Sequence, residues 1–290
     1  MRIRKLYGVG VGPGDPELLT LRAYKVLKEV EIIVAPRSGA GRRSLALLAV
    51  KKVLDERERK PIVVEPLFPM TKDENELRMH WEHAKRLVLQ RCRVSVDGDG
   101  DADKDRDADA NADEYDSAGD FSAGEKTGRV SCCDVAFITL GDPSLYSTFY
   151  KFLRLFDEDE IEDVEVIPGV PSFAACSALA KLPVAEGDEI VSIVPNASGE
   201  RAVHVIKNAD SLIFLKPKNM DLIKNALGDG LAVLCVRIGF DAQEFIVGRL
   251  FDMKAPGHYL STLIVKRGWR EVGSDEREVE HGEREIESGK

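Results

Sequence analysis

The sequence predicts an α/β protein of two domains, and three observations carry that prediction. Short β-branched runs alternate with longer helical patterns along most of the chain, the mark of helices layered on sheets. Several of those runs stop abruptly at Gly/Pro clusters that lead into a helix, as strand ends do in open α/β sheets. With 290 residues, 43% of them apolar, the chain exceeds one ordinary domain of roughly 100–150 residues and has material for more than one core.

The elements follow in order. A Val-rich strand over 5–11 runs into Gly12-Pro13-Gly14, and a helix over 18–30 returns the chain to a second strand at 31–35. A helix over 44–55 and a strand at 61–65 complete a second unit, and an amphipathic helix spans 73–90. The strongly apolar run 135–140 is a buried strand; a helix over 145–156, a strand at 164–167 and a small-residue helix over 172–182 follow. A second set places strands near 189–194, 211–215, 232–238, 245–250 and 259–266, with helices near 201–208 and 220–227. The composition shift at 183–188 sets the expected boundary, giving domains 1–184 and 185–268.

Charge is concentrated in one place. Residues 97–129 hold ten Asp and two Glu against two Lys and two Arg, so this stretch carries −8 of the total −10. The remainder is nearly neutral, which argues against a nucleic-acid partner and against a strongly acidic globule. The stretch, about 95–130, has almost no aliphatic residue and is expected to be a disordered insertion in a loop, where added length costs little. Residues 269–290 read as a disordered charged tail. No apolar run approaches the ~20 residues of a membrane helix, and the apolar start is broken at Gly12-Pro13-Gly14-Asp15, too early for a secretory signal. A cytoplasmic protein with no membrane partner is expected. Its five cysteines, 92, 132, 133, 176 and 235, include no C-x-x-C pair and are expected to be reduced and mostly buried.

Three loops could carry chemistry. The first, Gly8-Val9-Gly10-Val11-Gly12-Pro13-Gly14-Asp15-Pro16, lets backbone approach a ligand before a helix start. Its spacing is not that of a dinucleotide fingerprint, it has no Walker lysine, and Pro13 has no N–H to give a phosphate. The second, Thr139-Leu140-Gly141-Asp142-Pro143-Ser144-Leu145, puts a carboxylate at the carboxyl end of a buried strand. Asp142 could equally cap a helix begun by Pro143. The third, Ile167-Pro168-Gly169-Val170-Pro171-Ser172, precedes a helix whose small side chains leave room for a ligand or for close packing.

These loops, in this order, resemble those of the tetrapyrrole methylases, the S-adenosylmethionine-dependent enzymes of corrin and siroheme synthesis. Within that family the sequence is most similar to the branch acting on carbon 20 of precorrin-2 or cobalt-factor II. The resemblance rests on residues 9–20, 140–148, 166–172 and Tyr259-Leu260-Ser261-Thr262-Leu263-Ile264-Val265, and spans nearly all of 3–92 and 130–268. It implies two α/β domains with the active site in the cleft between them, a homodimer, and a tetrapyrrole substrate. Donor-binding positions carried over by the resemblance are Pro13; Leu140, Gly141, Asp142 and Leu145; Pro171 and Ser172; and Lys216 and Gly239. An apolar residue is common at the position of Lys216, and an ammonium beside a sulfonium is unfavourable, so its backbone is expected to make the contact. Uroporphyrinogen methylases of the family have an acidic residue after the second strand, whereas here the segment reads Ile33-Val34-Ala35-Pro36-Arg37.

Other features point less far. His80 and His83 stand at i, i+3 without further ligands and read as a surface or half-buried pair. Asp103, Asp105, Asp107 and Glu114 have calcium-loop spacing, but Ala108 replaces the turn glycine. Cys132 and Cys133 begin a strand and face opposite ways, which argues against a shared metal. Arg37, Arg42 and Arg43 form a basic loop, mobile and solvated or a partner for acid side chains. No metal is expected and no catalytic residue is assigned. Competing readings are a methylase acting on a different corrin carbon, a diphthine synthase, and a non-catalytic binding protein. Whether the substrate already carries cobalt is open at this point.

Overall fold

The computed structural model describes residues 2–39, 41–69, 71, 73–96, 132–195 and 198–267. The acidic stretch, the calcium-like run within it and the charged tail lie outside the described residues. The chain divides into two compact units, Met1–Val170 and Pro171–Lys290.

The first unit is a five-stranded, wholly parallel sheet in the order β3-β2-β4-β1-β5. Its strands are β1 (Arg2–Gly10), β2 (Ile32–Val34), β3 (Ile62–Val64), β4 (Cys132–Thr139) and β5 (Ile161–Ile167). β1, β2 and β4 bury apolar residues on both faces, as strands of a covered parallel sheet do. One face packs Ile32, Val34 and Phe137 against Ala84 and Val88 of α3 (Glu74–Val96). Phe149 and Phe152 of the short α4 (Phe149–Leu153) join the same cluster, with the Phe137 and Phe152 ring centroids 5.1 Å apart. Gly8 makes room for this cluster, since a Cβ there would lie 2.5 Å from the Phe149 ring. Helices α1 (Leu21–Glu29) and α2 (Leu45–Asp55) start at Thr20 and Ser44, whose hydroxyls accept from the N–H groups of Ala23 and Leu47.

α1 ends on a buried cation. Arg57, 9% exposed, donates to the carbonyls of Leu27 at 2.7 Å and Val30 at 2.9 Å, and its Nε donates to the Arg59 carbonyl at 3.0 Å. Burial pulls its pKa down, and the negative end of α1 offsets that cost. Arg57→Ala orphans these carbonyls and is expected to destabilise the protein by about 2 kcal/mol. A urea midpoint unchanged from wild type would refute this.

The second unit is a mixed sheet in the order β6-β7-β10-β8-β9, in which β6 and β7 are parallel and the other pairs antiparallel. It comprises β6 (Val191–Val194), β7 (Ser211–Leu215), β8 (Leu231–Val236), β9 (Glu244–Arg249) and β10 (Ser261–Lys266). Strand alternation sorts its core into two faces. Leu212, Phe214, Leu234, Leu263 and Val265 pack with α6 (Gly199–Asn208) and α7 (Met220–Leu227). Ile213, Val233, Cys235 and Ile264 form the other face with Cys176 of α5 (Ser172–Ala180). Because α5 covers this sheet, the second unit starts at Pro171, earlier than the boundary expected after residue 184.

Three expectations are corrected. The helix expected over 145–156 is only Phe149–Leu153, because residues 143–148 form turns, with Tyr146 in the left-handed region at φ 53°. The helix expected over 18–30 starts at Leu21, after a 3-10 turn at Pro16–Leu18 that Asp15 caps. Four of the cysteines expected to be free thiols are paired: Cys92 with Cys133 and Cys176 with Cys235. Packing of α3 on β4 and of α5 on β8 brings each pair together across 41 and 59 residues.

Candidate functional site

β1 lies between β4 and β5, so the carboxyl ends of all three strands, and the three glycine-bearing loops, are neighbours. The loops are joined backbone to backbone. Val11 N–H donates to the Thr139 carbonyl at 2.9 Å and Gly141 N–H to the Gly12 carbonyl at 2.8 Å. Gly10, Gly141 and Gly169 meet where no side chain fits: a Cβ on Gly169 would lie 2.2 Å from the Gly141 oxygen and 2.8 Å from the Gly10 Cα.

Asp142 locks this junction. Its Oδ2 accepts from the Gly169 N–H at 3.0 Å, and its Oδ1 accepts from the Ser144 N–H at 2.8 Å and from the Ser144 hydroxyl. Burial pushes the carboxyl pKa up, but the Ser144 hydroxyl and the Ser144 and Gly169 N–H groups outweigh it and hold the group below its ordinary value. It is therefore ionised at neutral pH, with both oxygens already engaged. Asp142 does not cap a helix at Pro143, because no helix starts there. It fastens the β4 loop to the β5 loop.

The residues singled out in sequence fall into two groups. In the first unit, buried Pro13 and half-buried Leu140, Gly141, Asp142 and Leu145 occupy the loops after β1 and β4. In the second, the positions cluster at one end of the sheet. The Ser172 and Thr262 hydroxyls are hydrogen-bonded at 2.8 Å, which ties the start of α5, preceded by Pro171, to the start of β10. Lys216 follows β7, and its N–H donates to the Ser261 carbonyl at 2.9 Å. Gly239, at φ 81°, follows β8, and its N–H donates to the Gln243 side chain at 2.8 Å.

A sequence model described as Tetrapyrrole (Corrin/Porphyrin) Methylases matches residues 5–97 and 125–254. The chain belongs to this family. It is a methyltransferase, and one curated relative, the probable cobalt-precorrin-2 C(20)-methyltransferase of Methanocaldococcus jannaschii, is 34% identical over 91% of this chain and 97% of its own. The cobalt-precorrin-2 C(20)-methyltransferase of Salmonella typhimurium is 27% identical over the same shares. Solved structures share the fold of this tetrapyrrole methylase. A putative cobalamin synthesis related protein of Corynebacterium diphtheriae has a TM-score of 0.62 at 18% identity, covering 91% of this chain and 98% of that one. The uroporphyrin-III C-methyl transferase of Thermus thermophilus, complexed with S-adenosyl homocysteine, has a TM-score of 0.54 at 18% identity, covering 90% and 97%.

Some features of the methylase escaped sequence reasoning. Gly10 and Gly169 were visible as strand-end glycines, but their mutual contact depends on β1 lying between its two partners. Arg37, expected in a mobile loop, is held: its Nε donates to the Glu65 carbonyl at 3.1 Å, and its N–H to the Pro66 carbonyl at 3.0 Å. His80 and His83 lie on α3, where burial, Arg86 and His80 push the His83 pKa down. Among the described residues no three His, Cys, Asp or Glu side chains are grouped to hold a metal, and no helix is long and apolar enough to cross a membrane.

Proposed function

We propose that this methylase transfers the methyl group of S-adenosylmethionine to carbon 20 of precorrin-2, or of its cobalt-bearing form cobalt-factor II, in cobalamin biosynthesis. The observation that carries the reading is 34% identity to a probable cobalt-precorrin-2 C(20)-methyltransferase along nearly the full length of both chains. The absence of a carboxylate in Ala35-Pro36-Arg37 after β2 supports this branch over uroporphyrinogen methylation. The donor positions proposed are Pro13, Leu140, Gly141, Asp142, Leu145, Pro171, Ser172, Lys216 and Gly239, with Lys216 contributing its backbone. Assembly as a homodimer and a cytoplasmic location complete the proposal; the cysteines of both disulfides are buried, away from cellular thiols.

The residues fit a donor of this kind. Apolar Pro13 and Leu145 and the backbone groups of Gly12 and Gly141 suit the body of a nucleoside. When bound, the donor supplies a methyl group on a sulfonium, already a good leaving group. Carbon 20 would form the new bond as the methyl–sulfur electron pair returned to sulfur, and its displaced proton would pass to solvent or a base. The chain's part is alignment and exclusion of water, which explains backbone-joined loops in place of an acid–base triad. Asp142, with its oxygens bonded to Ser144 and Gly169, organises the loops and is not that base.

The test is incubation with methyl-labelled S-adenosylmethionine and precorrin-2, with and without cobalt, followed by mass and carbon NMR analysis of the product. One new methyl on carbon 20 is expected, and the preferred substrate identifies the metal state. Transfer to a different carbon, or to a protein substrate only, would overturn the assignment.

A further inference from the structure

The two ends of the second sheet treat their cations differently. At the end where β10 finishes, Lys266 is fully buried and paired with Glu189 at 2.8 Å. Arg249, at the end of β9, pairs with Asp229. At the opposite end, β7 and β8 finish on either side of the start of β10, and each is followed at once by a basic residue. Lys216 and Arg237 both take the left-handed backbone conformation, at φ 59° and φ 55°. Long side chains seldom adopt it, and it persists where surrounding structure enforces it, often at ligand sites.

The enforcement is visible. Lys216 N–H donates to the Ser261 carbonyl at 2.9 Å and Arg237 N–H to the Leu260 carbonyl at 2.8 Å, so the two residues grip the segment entering β10 from both sides. The same segment supplies Tyr259. The Lys216 ammonium donates to the Tyr259 hydroxyl and lies 4.0 Å from its ring centroid. The Arg237 Nε donates to the backbone carbonyl of Asp241 at 2.9 Å. Among the described residues neither side chain forms an ion pair with a carboxylate. Two cations are thus oriented by neutral partners at a sheet end that also holds Ser172, Thr262 and Gly239.

We propose that Lys216 and Arg237 form a carboxylate-binding ledge, with Tyr259 positioning the lysine. The inference rests on the proposed function, whose ligands carry carboxylates of two origins: the amino-acid end of the methyl donor and the acid arms of the tetrapyrrole. The lysine side chain serves the carboxylate and its backbone the donor position, which removes the conflict between an ammonium and a sulfonium. An oriented ammonium or guanidinium is a strong hydrogen-bond donor to a carboxylate.

The experiment measures binding directly, without turnover. Wild type, Lys216→Met, Lys216→Gly, Lys216→Arg and Arg237→Met are titrated with S-adenosylhomocysteine, with 5′-methylthioadenosine, which lacks the amino-acid end, and with uroporphyrin, a tetrapyrrole polyacid. Removing either charge is expected to weaken one carboxylate ligand about tenfold. Lys216→Arg should recover most of the loss, and methylthioadenosine should be unaffected. Glycine relaxes the left-handed backbone at 216, so a loss shared with methionine comes from the missing ammonium and not from misfolding. Weakening of S-adenosylhomocysteine alone assigns the ledge to the donor; weakening of uroporphyrin alone, with wild-type uroporphyrin binding falling as salt is added, assigns it to the substrate. Wild-type affinities in all variants would overturn the ledge and leave the functional reading standing. Failure of the wild type itself to bind either ligand would overturn that reading and the ledge with it.

Discussion

Gly169→Ala is expected to abolish measurable methyl transfer and to destabilise the first unit by about 3 kcal/mol or more. The added Cβ would lie 2.2 Å from the Gly141 oxygen, 2.7 Å from the Gly10 carbonyl carbon and 2.8 Å from the Gly10 Cα. All three are backbone atoms, so no side chain can turn aside; the loops after β1, β4 and β5 have to separate. Separation breaks the Gly169-to-Asp142 hydrogen bond and strains the Gly141-to-Gly12 bond. A displacement of about 1 Å at such a site can cost 10²-fold in rate even where the fold survives. Gly10→Ala should behave alike, because its Cβ would lie 2.6 Å from both the Gly141 oxygen and the Gly169 nitrogen. Gly257→Ala is the control: nothing lies within 4 Å of its Cβ position, and a change within about 0.5 kcal/mol is expected. Urea denaturation together with kcat/KM checks the set. Near-wild-type stability and turnover in Gly169→Ala would show that the loops are not closed on one another.

Asp142→Ala is expected to lower kcat/KM by about 10²-fold while the protein stays folded. The carboxylate bridges Gly169 and Ser144, so its loss frees one loop from the other without inserting any atom. Leaving the Gly169 N–H unpaired adds a stability cost of about 1–3 kcal/mol. Asn should not rescue the function, since its single oxygen cannot replace two and its amide NH2 would face an N–H donor. The pH dependence has a definite sign. Asp142 has its folded pKa below the ordinary 3.8, so its contribution to stability is complete above that value and disappears as pH falls through the folded pKa. Asp142→Ala should therefore flatten the acid limb of a stability–pH curve. It should leave the shape of the pH–rate profile near neutrality unchanged, as expected of a residue that positions loops. A shifted neutral profile would instead make Asp142 a proton carrier.

The order and type of the elements were legible because apolar periodicity and Gly/Pro breaks are local properties of the chain. Each predicted strand and helix is found, with ends moved by local turn chemistry: Thr20 caps α1 after a 3-10 turn, and the Asp142–Ser144 turn delays α4 to Phe149. The loops that carry the family resemblance were also legible, as was the presence of a carboxylate at Asp142. Its role was not, because Gly169 stands 27 residues away and meets it only through the pairing of β1 with both β4 and β5. The same holds for Lys216 and Tyr259, 43 residues apart, and for the Cys92–Cys133 and Cys176–Cys235 pairs.

The α/β class, the run of elements, the family and the chemistry-bearing loops could all be read along the linear chain. All of these are written in periods of two to four residues or in contiguous motifs. Which loops touch, that α5 belongs to the second sheet, that the Asp142 carboxylate is a fastener, and that Lys216 and Arg237 flank the start of β10 with no carboxylate partner among the described residues came only with the folded chain. Those are statements about strand order and register, and strand order brings together residues whose separation along the chain has no period to read.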